Sequence, residues 1–234
     1  MVNRIDPVQD EAQAFPTEDG EAMHDAHILI LAAGSSRRMR GSDKLMEPVD
    51  AAPQIARITR VALATGAPVT VVLPPDRPQR RAALAGTRAR VVIADAADEG
   101  MAESVKAGLT ALPPQAAVML LLADLPEITT EDLRQMLSAW RATPQLILRA
   151  MSAEGEPGHP VCFPAWTRPD LETLRGDEGA RAVLRHHAGR MRMFALPGNH
   201  ATTDLDTPED WRDWRASRRE NALRPPSEPS PHNP

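Results

Sequence analysis

Short, largely apolar runs recur along this chain with helix-like stretches between them, and that rhythm restricts the fold more than any other feature. The runs are HILILA (27–32), PVTVVL (68–73), ARVVIA (89–94), AAVMLLLA (116–123) and QLILRA (145–150). Strands that are apolar at successive positions, rather than alternate ones, are buried on both faces. Stretches patterned as helix lie at about 53–66, 77–85, 101–111 and 129–141, the last opening on the N-cap sequence TTED. Strand and helix in alternation give βαβ units, so the expected fold is α/β with a mostly parallel central sheet and helices on both faces. After residue 150 the pattern changes. MSAEGEPGHPVCF suggests a hairpin with a Gly turn, followed by short helices near 165–175 and 178–187, a strand at 190–196 and a closing helix from DTPEDW.

Composition narrows the classes. A length of 234 residues with 42% apolar side chains suits one domain with a substantial core. That domain is expected over 27–216, with a disordered acidic tail at 1–26 and a disordered Pro/Ser-rich tail at 217–234. The balance of 27 basic against 32 acidic residues argues against a nucleic-acid coat, so any anion site must be local. A single cysteine, Cys162, permits no internal disulfide and suits a reducing cytoplasm. The longest apolar runs are too short to cross a bilayer, and the acidic start lacks the basic-then-apolar pattern of a leader, so neither membrane nor export is expected.

In an open parallel sheet, ligands gather at the carboxyl ends of the strands. The first run ends in LAAGSSRRMRGSDKL, where Ala32, Ala33, Gly34, Ser35 and Ser36 let backbone amides approach an anion and Arg37, Arg38 and Lys44 supply charge. It is neither a Walker loop nor a GxGxxG fingerprint. LLLADLP places Asp124 directly after a buried strand, where an unpaired carboxylate is costly unless it faces a cleft or a cation. In TTDLDTPEDW, Thr207 and the residues after it read as a helix start, which leaves Asp204 and Asp206 without a local role. Residues that alternate on an extended segment face opposite ways unless the chain bends. Acids from separate strand ends beside a basic loop point to Mg²⁺ and a polyphosphate.

Read in order, LAAGSSRRMRGSDKL, LLADLP, GHPVCF, GDEGAR and DLDTPEDW resemble the MobA-like nucleotidyltransferases, and most closely the molybdenum cofactor cytidylyltransferases, from about Ile28 to Trp211. The resemblance implies a Rossmann-like nucleotidyltransferase fold. It implies Mg²⁺-dependent transfer of CMP from CTP to the phosphate of molybdopterin, with release of pyrophosphate. Position by position, it puts nucleotide binding on Leu31, Ala32, Ala33, Gly34, Ser35, Arg37, Arg38, Lys44, Ser104 and Asp124. Arg38, Lys44 and Asp124 are implied as catalytic, and Asp124 and Asp206, joined by Asp204, as the metal acids. His159 and Arg181 fall where the acceptor is expected. Implied partners are CTP or another NTP, molybdopterin, and a molybdenum hydroxylase in transient contact. Two departures bear on specificity. Ala32-Ala33-Gly34 favours CTP where the guanylyltransferase branch reads LAGG, whereas GSDK looks more like that branch. Apart from nucleotide choice, Arg40 adds bulk and charge before Gly41, and LMEPVDAAPQIAR replaces the commoner Leu-rich run after Lys44. The alternatives are a guanylyltransferase, another NTP transferase acting on a different phosphate acceptor, and a non-catalytic carrier of the cofactor.

Overall fold

The computed structural model describes residues 26–223. Chain order is β1 (His27–Leu31), β2 (Pro48–Val49), β3 (Ala52–Pro53), α1 (Gln54–Leu63), β4 (Val69–Leu73), α2 (Pro78–Ala83), β5 (Arg90–Ile93) and α3 (Met101–Thr110). It continues through β6 (Val118–Leu122), α4 (Thr130–Arg141), β7 (Ile147–Met151), β8 (Pro157–Phe163), α5 (Arg168–Glu172), α6 (Arg181–His186), β9 (Met191–Ala195) and α7 (Pro208–Leu223). Every apolar run of the sequence is a strand of one seven-stranded sheet, in the order β5-β4-β1-β6-β8-β7-β9. β8 is antiparallel to both its neighbours, β6 and β7, while the other pairings are parallel.

The sheet is covered on both faces because its strands are apolar at successive positions. Ile28 and Ile30 of β1 face α1 and α4 through Ile55, Ile58, Leu133 and Met136. Leu29 and Leu31 face the opposite way, onto Val105 and Leu109 of α3, Leu171 of α5 and Leu184 of α6. Burying a large aliphatic side chain is worth roughly 1.5–3 kcal/mol, so these layers carry most of the folding energy. Thr129 and Asp132 form the reciprocal cap of α4 that TTED foreshadows. Cys162 is a core residue of β8, and burial pushes its thiol up. No helix among the described residues is long and apolar enough to cross a membrane.

One boundary differs from expectation. The tail expected from 217 is helical as far as Leu223, as the continuation of α7. SRRENAL is built of helix-tolerant residues, and the first proline after it stands at 225. The remainder of the two expected tails, 1–25 and 224–234, lies outside the described residues.

The reversed strand β8 brings its first residues to the carboxyl ends of β6 and β7. It is locked there by close backbone contact: the His159 amide donates to the Ala201 carbonyl at 2.9 Å. A Cβ on Gly158 would stand 2.0 Å from that same oxygen. Gly158→Ala should therefore destabilise the fold by at least about 1–3 kcal/mol, read as a lower urea midpoint. An unchanged midpoint would mean that this strand end yields freely.

Candidate active site

The order of strands reverses on either side of β1, between β4 and β6, and the basic loop leaves from that point. Leu31, Ala32 and Ala33 are buried at the loop's root, whereas Gly34, Ser35, Arg37 and Arg38 are exposed. The amides of Gly34 and Ser35 make no hydrogen bond among the described residues, and a Cβ on Gly34 would project into open space. Such unpaired N–H groups beside a missing side chain make a cradle for an anion. Ser36 and Arg40 flank a single 3-10 turn, Arg37–Met39, with left-handed φ values of 53° and 52°. Non-glycine residues in that region are strained and persist only where their surroundings fix them.

Arg80 on α2 does the fixing, and no local pattern in the sequence announces it. Its side chain is fully buried and grips Asp43 with two nitrogens, at 2.7 and 2.8 Å. The same guanidinium donates to the Ala32 carbonyl at 2.6 Å and the Ser36 hydroxyl at 3.1 Å. It thus ties the first residues of the loop to the residue just before Lys44. Burial alone would raise the Asp43 carboxyl, but Arg80, the Leu45 amide and the Ser36 hydroxyl together hold it below the usual range. Beneath the loop, Met39 packs with Val49, Leu205, Trp211 and Trp214 in a small separate core. Arg40, on the outside, pairs with Glu209 of α7 at 3.0 Å.

Lys44 Nζ lies at the meeting point of the acids. It is 2.6 Å from Asp124 Oδ2, 2.7 Å from Asp206 Oδ1 and 3.3 Å from Asp204 Oδ1. The 203–206 segment is irregular, and its bend lets both acids face one way. Arg38 adds a second contact to Asp206. Burial would lower the Lys44 ammonium, but Asp124 above all, with Asp206 and Asp204, overrides it and holds the group protonated well above its ordinary value. Asp204 is pushed up to about 6, first by burial and then by repulsion from Asp124 and Asp206, against the pull of Lys44. Two further groups set the acids in place. Buried Gln54 donates from Nε2 to the Ala123 carbonyl at 2.8 Å, immediately before Asp124. Asp210 accepts from the Asp206 and Thr207 amides, so the cap of α7 also fixes Asp206.

The acids suit a hard divalent cation. Asp124 Oδ1 is buried with no partner among the described residues, which leaves it free to bind a cation. No group of three or more His, Cys, Asp or Glu side chains placed to hold a metal ion occurs among the described residues.

The remaining sequence candidates separate. His159 starts the part of β8 beside Asp124. Its ring is driven down to about 4, chiefly by burial and then by Arg149, so it is neutral at physiological pH. Arg181 is exposed on α6 and acts electrostatically on His159 and on Arg149. Ser104 lies on α3 and is only 5% exposed. Gly100, which leads into that helix, abuts Gly176, where a Cβ would stand 2.6 Å from backbone atoms.

Removing the clamp leaves a half-buried carboxylate unpaired, so Arg80→Met should cost about 3–5 kcal/mol. Because the folded Asp43 carboxyl lies below its unfolded value of 3.8, its stabilisation is present above that pH and fades as pH falls through the folded value. The gap between wild type and Arg80→Met in urea titrations should accordingly narrow below pH 4, and a pH-independent gap would remove Asp43 from the effect. Asp204 has the opposite sign: its raised value favours the fold at low pH and is lost as pH rises through about 6. Asp204→Asn should therefore melt higher than wild type at pH 7.5 in metal-free buffer, with the difference vanishing towards pH 4. A lower melting temperature at pH 7.5 would show that its pairing with Lys44 dominates.

With this geometry in hand, the relatives are consistent. The sequence profile of the MobA-like NTP transferase domain matches residues 28–191. A Nostoc protein named probable molybdenum cofactor guanylyltransferase is 24% identical over 192 residues, spanning 80% of this chain and 89% of its own. The crystal structure of Rv0371c from Mycobacterium tuberculosis superposes with a TM-score of 0.71 at 29% identity, over 81% of this chain and 97% of that one. The same protein in complex with manganese gives a TM-score of 0.69 at 27% identity, over 82% and 99% of the two chains. A parallel sheet whose switch point carries an anion-cradling loop, with acids gathered around its lysine, agrees with that match, and the chain belongs to the MobA-like NTP transferase domain family.

Proposed function

We propose that the protein transfers CMP from CTP to the phosphate of molybdopterin and releases pyrophosphate, in the cytoplasm, before a transient contact with a molybdenum hydroxylase. The observation that carries the transfer is the convergence of Lys44 and Arg38 with Asp124 and Asp206 beside the unpaired amides of Gly34 and Ser35. The acceptor phosphate oxygen attacks the α-phosphorus in line, and the bond from that phosphorus to the pyrophosphate oxygen breaks. An anionic acceptor needs no base. The chain's work is to orient the two phosphates and to meet charge building on the leaving group. Gly34 and Ser35 amides bind the polyphosphate, while Arg37, Arg38 and Lys44 supply fixed positive charge. Lys44 is held protonated and acts as a donor. Asp124 and Asp206 would hold Mg²⁺, which when bound supplies charge neutralisation to the phosphates. The manganese complex of the mycobacterial structure supports a divalent ion at this fold. His159 and Arg181 would face the acceptor.

The choice of CTP rests on Ala32-Ala33-Gly34 at the loop's root. A second reading, with GTP, is favoured by the name of the Nostoc relative and by Asp43 directly before Lys44. Purified protein incubated with Mg²⁺, molybdopterin and each of the four nucleotides in turn should release pyrophosphate with CTP. Release with GTP alone would replace CTP by GTP, and release with none would favour a carrier. Asp124→Asn should bring turnover to background with the fold intact by circular dichroism. Lys44→Ala should cost about 3 kcal/mol of transition-state stabilisation, roughly a hundredfold in rate, the scale of losing one oriented donor. A loss of only a few-fold would reduce Lys44 to holding the acids together.

A further inference from the structure

Beyond β8, away from the basic loop, lies a cleft of about 320 Å³ lined by Arg149, Arg181, Leu184, Arg185, Ala188 and Met191. Arg149 is out of character for its place. It interrupts QLILRA, the run that becomes β7, with Ile147, Leu148 and Ala150 buried around it. A guanidinium half-buried in an apolar strand is costly unless something compensates it. The compensation among the described residues is slight, a single Nε bond to the Gly158 carbonyl at 3.2 Å. Arg181 repels it rather than neutralising it, and no carboxylate lines the cleft among the described residues. Arg149 and Arg181 face an apolar-floored cleft that no carboxylate lines among the described residues, Arg185, the third arginine there, having a partner of its own, and such a pair is arranged for an external anion.

The cleft connects to the chemistry through one strand end. Arg149 lies opposite Val161 of β8 in the sheet, and the carbonyl that it grips directly precedes His159. His159 feels both Arg149 and Asp124. The basic loop follows β1, on one side of β6 and Asp124, and the arginine cleft lies on the other side, beyond β8, between Arg149 of β7 and Met191 at the start of β9. We infer that the cleft binds a second anionic group of the acceptor, remote from the phosphate that takes the nucleotide, with Arg149 as its principal ligand. This rests on molybdopterin being the acceptor. An acceptor held at both ends would be aligned across the site before the nucleotide is attacked.

The test uses the full chain and its Arg149→Met and Arg149→Lys variants, with thermal melts to confirm folding. Molybdopterin binding is read by its own fluorescence without nucleotide, and transfer kinetics are run in parallel. Arg149→Met should weaken molybdopterin binding, and raise its KM, by about tenfold or more, the worth of a charge-assisted hydrogen bond. The KM for the nucleotide should stay unchanged, and Arg149→Lys should recover part of the loss. Equal molybdopterin affinity in wild type and Arg149→Met would overturn the inference, as would a nucleotide KM that rises in step with that of the acceptor. If wild type binds molybdopterin through Arg149 but transfers nothing to it, the cleft stands and the transferase reading falls. If wild type transfers to molybdopterin and Arg149→Met binds it as tightly, transfer stands and the cleft falls.

Discussion

The ammonium of Lys44 joins three parts of the chain that no local rule brings together: the loop after β1, the end of β6 and the segment before α7. Each carboxylate there repels the others, as the upward push on Asp204 records. Without a cation among them the cluster would not close. Counted with Arg38, three acids meet two bases, so the cluster keeps a formal negative charge. A partly exposed cluster short of positive charge adds little stability and is a good receiver for a cation. The same contacts that hold the site closed therefore leave it short of positive charge.

That arrangement needs the loop to be stiff, and stiffness comes from two sides. Above the sheet, Arg80 ties Ala32, Ser36 and Asp43 with directed hydrogen bonds. Below, Met39 enters a small apolar core with Trp211 and Leu205. The polar tie fixes direction and the apolar one fixes depth. Between them they hold the left-handed turns at Ser36 and Arg40 that aim Gly34 and Ser35 amides outward. Arg40 itself has a plain role: its pairing with Glu209 straps the loop to α7 across the outside.

How far the sequence reveals this follows the range of each interaction. Strand runs, helix caps and the basic loop are local patterns, and the structure reproduces them in place. Asp124 and Asp206 are legible because an acid at a strand end or before a cap lacks a local explanation. Arg80 is not legible, because it sits within an ordinary amphipathic stretch and its partner Asp43 is 37 residues away. Gln54 is hidden for the same reason, 69 residues from the carbonyl that it supports. The burial of Ser104 is not legible either, because matching a motif places a residue on a helix without saying which side faces the sheet. Arg149 could have been found: a charged residue inside a buried strand breaks the pattern that defines the strand.

The two indoles on α7 have a practical side. Trp211 packs against Met39 under the basic loop, and Trp214, 5.8 Å away in an edge-on stack, donates to Glu127 in the loop that carries Asp124. The chain has four tryptophans and no tyrosine, so its ultraviolet emission comes from few sources. Both halves of the site thus press on neighbouring chromophores. The molecule carries its own optical gauge of whether the loop and the acid segment shift when a ligand arrives.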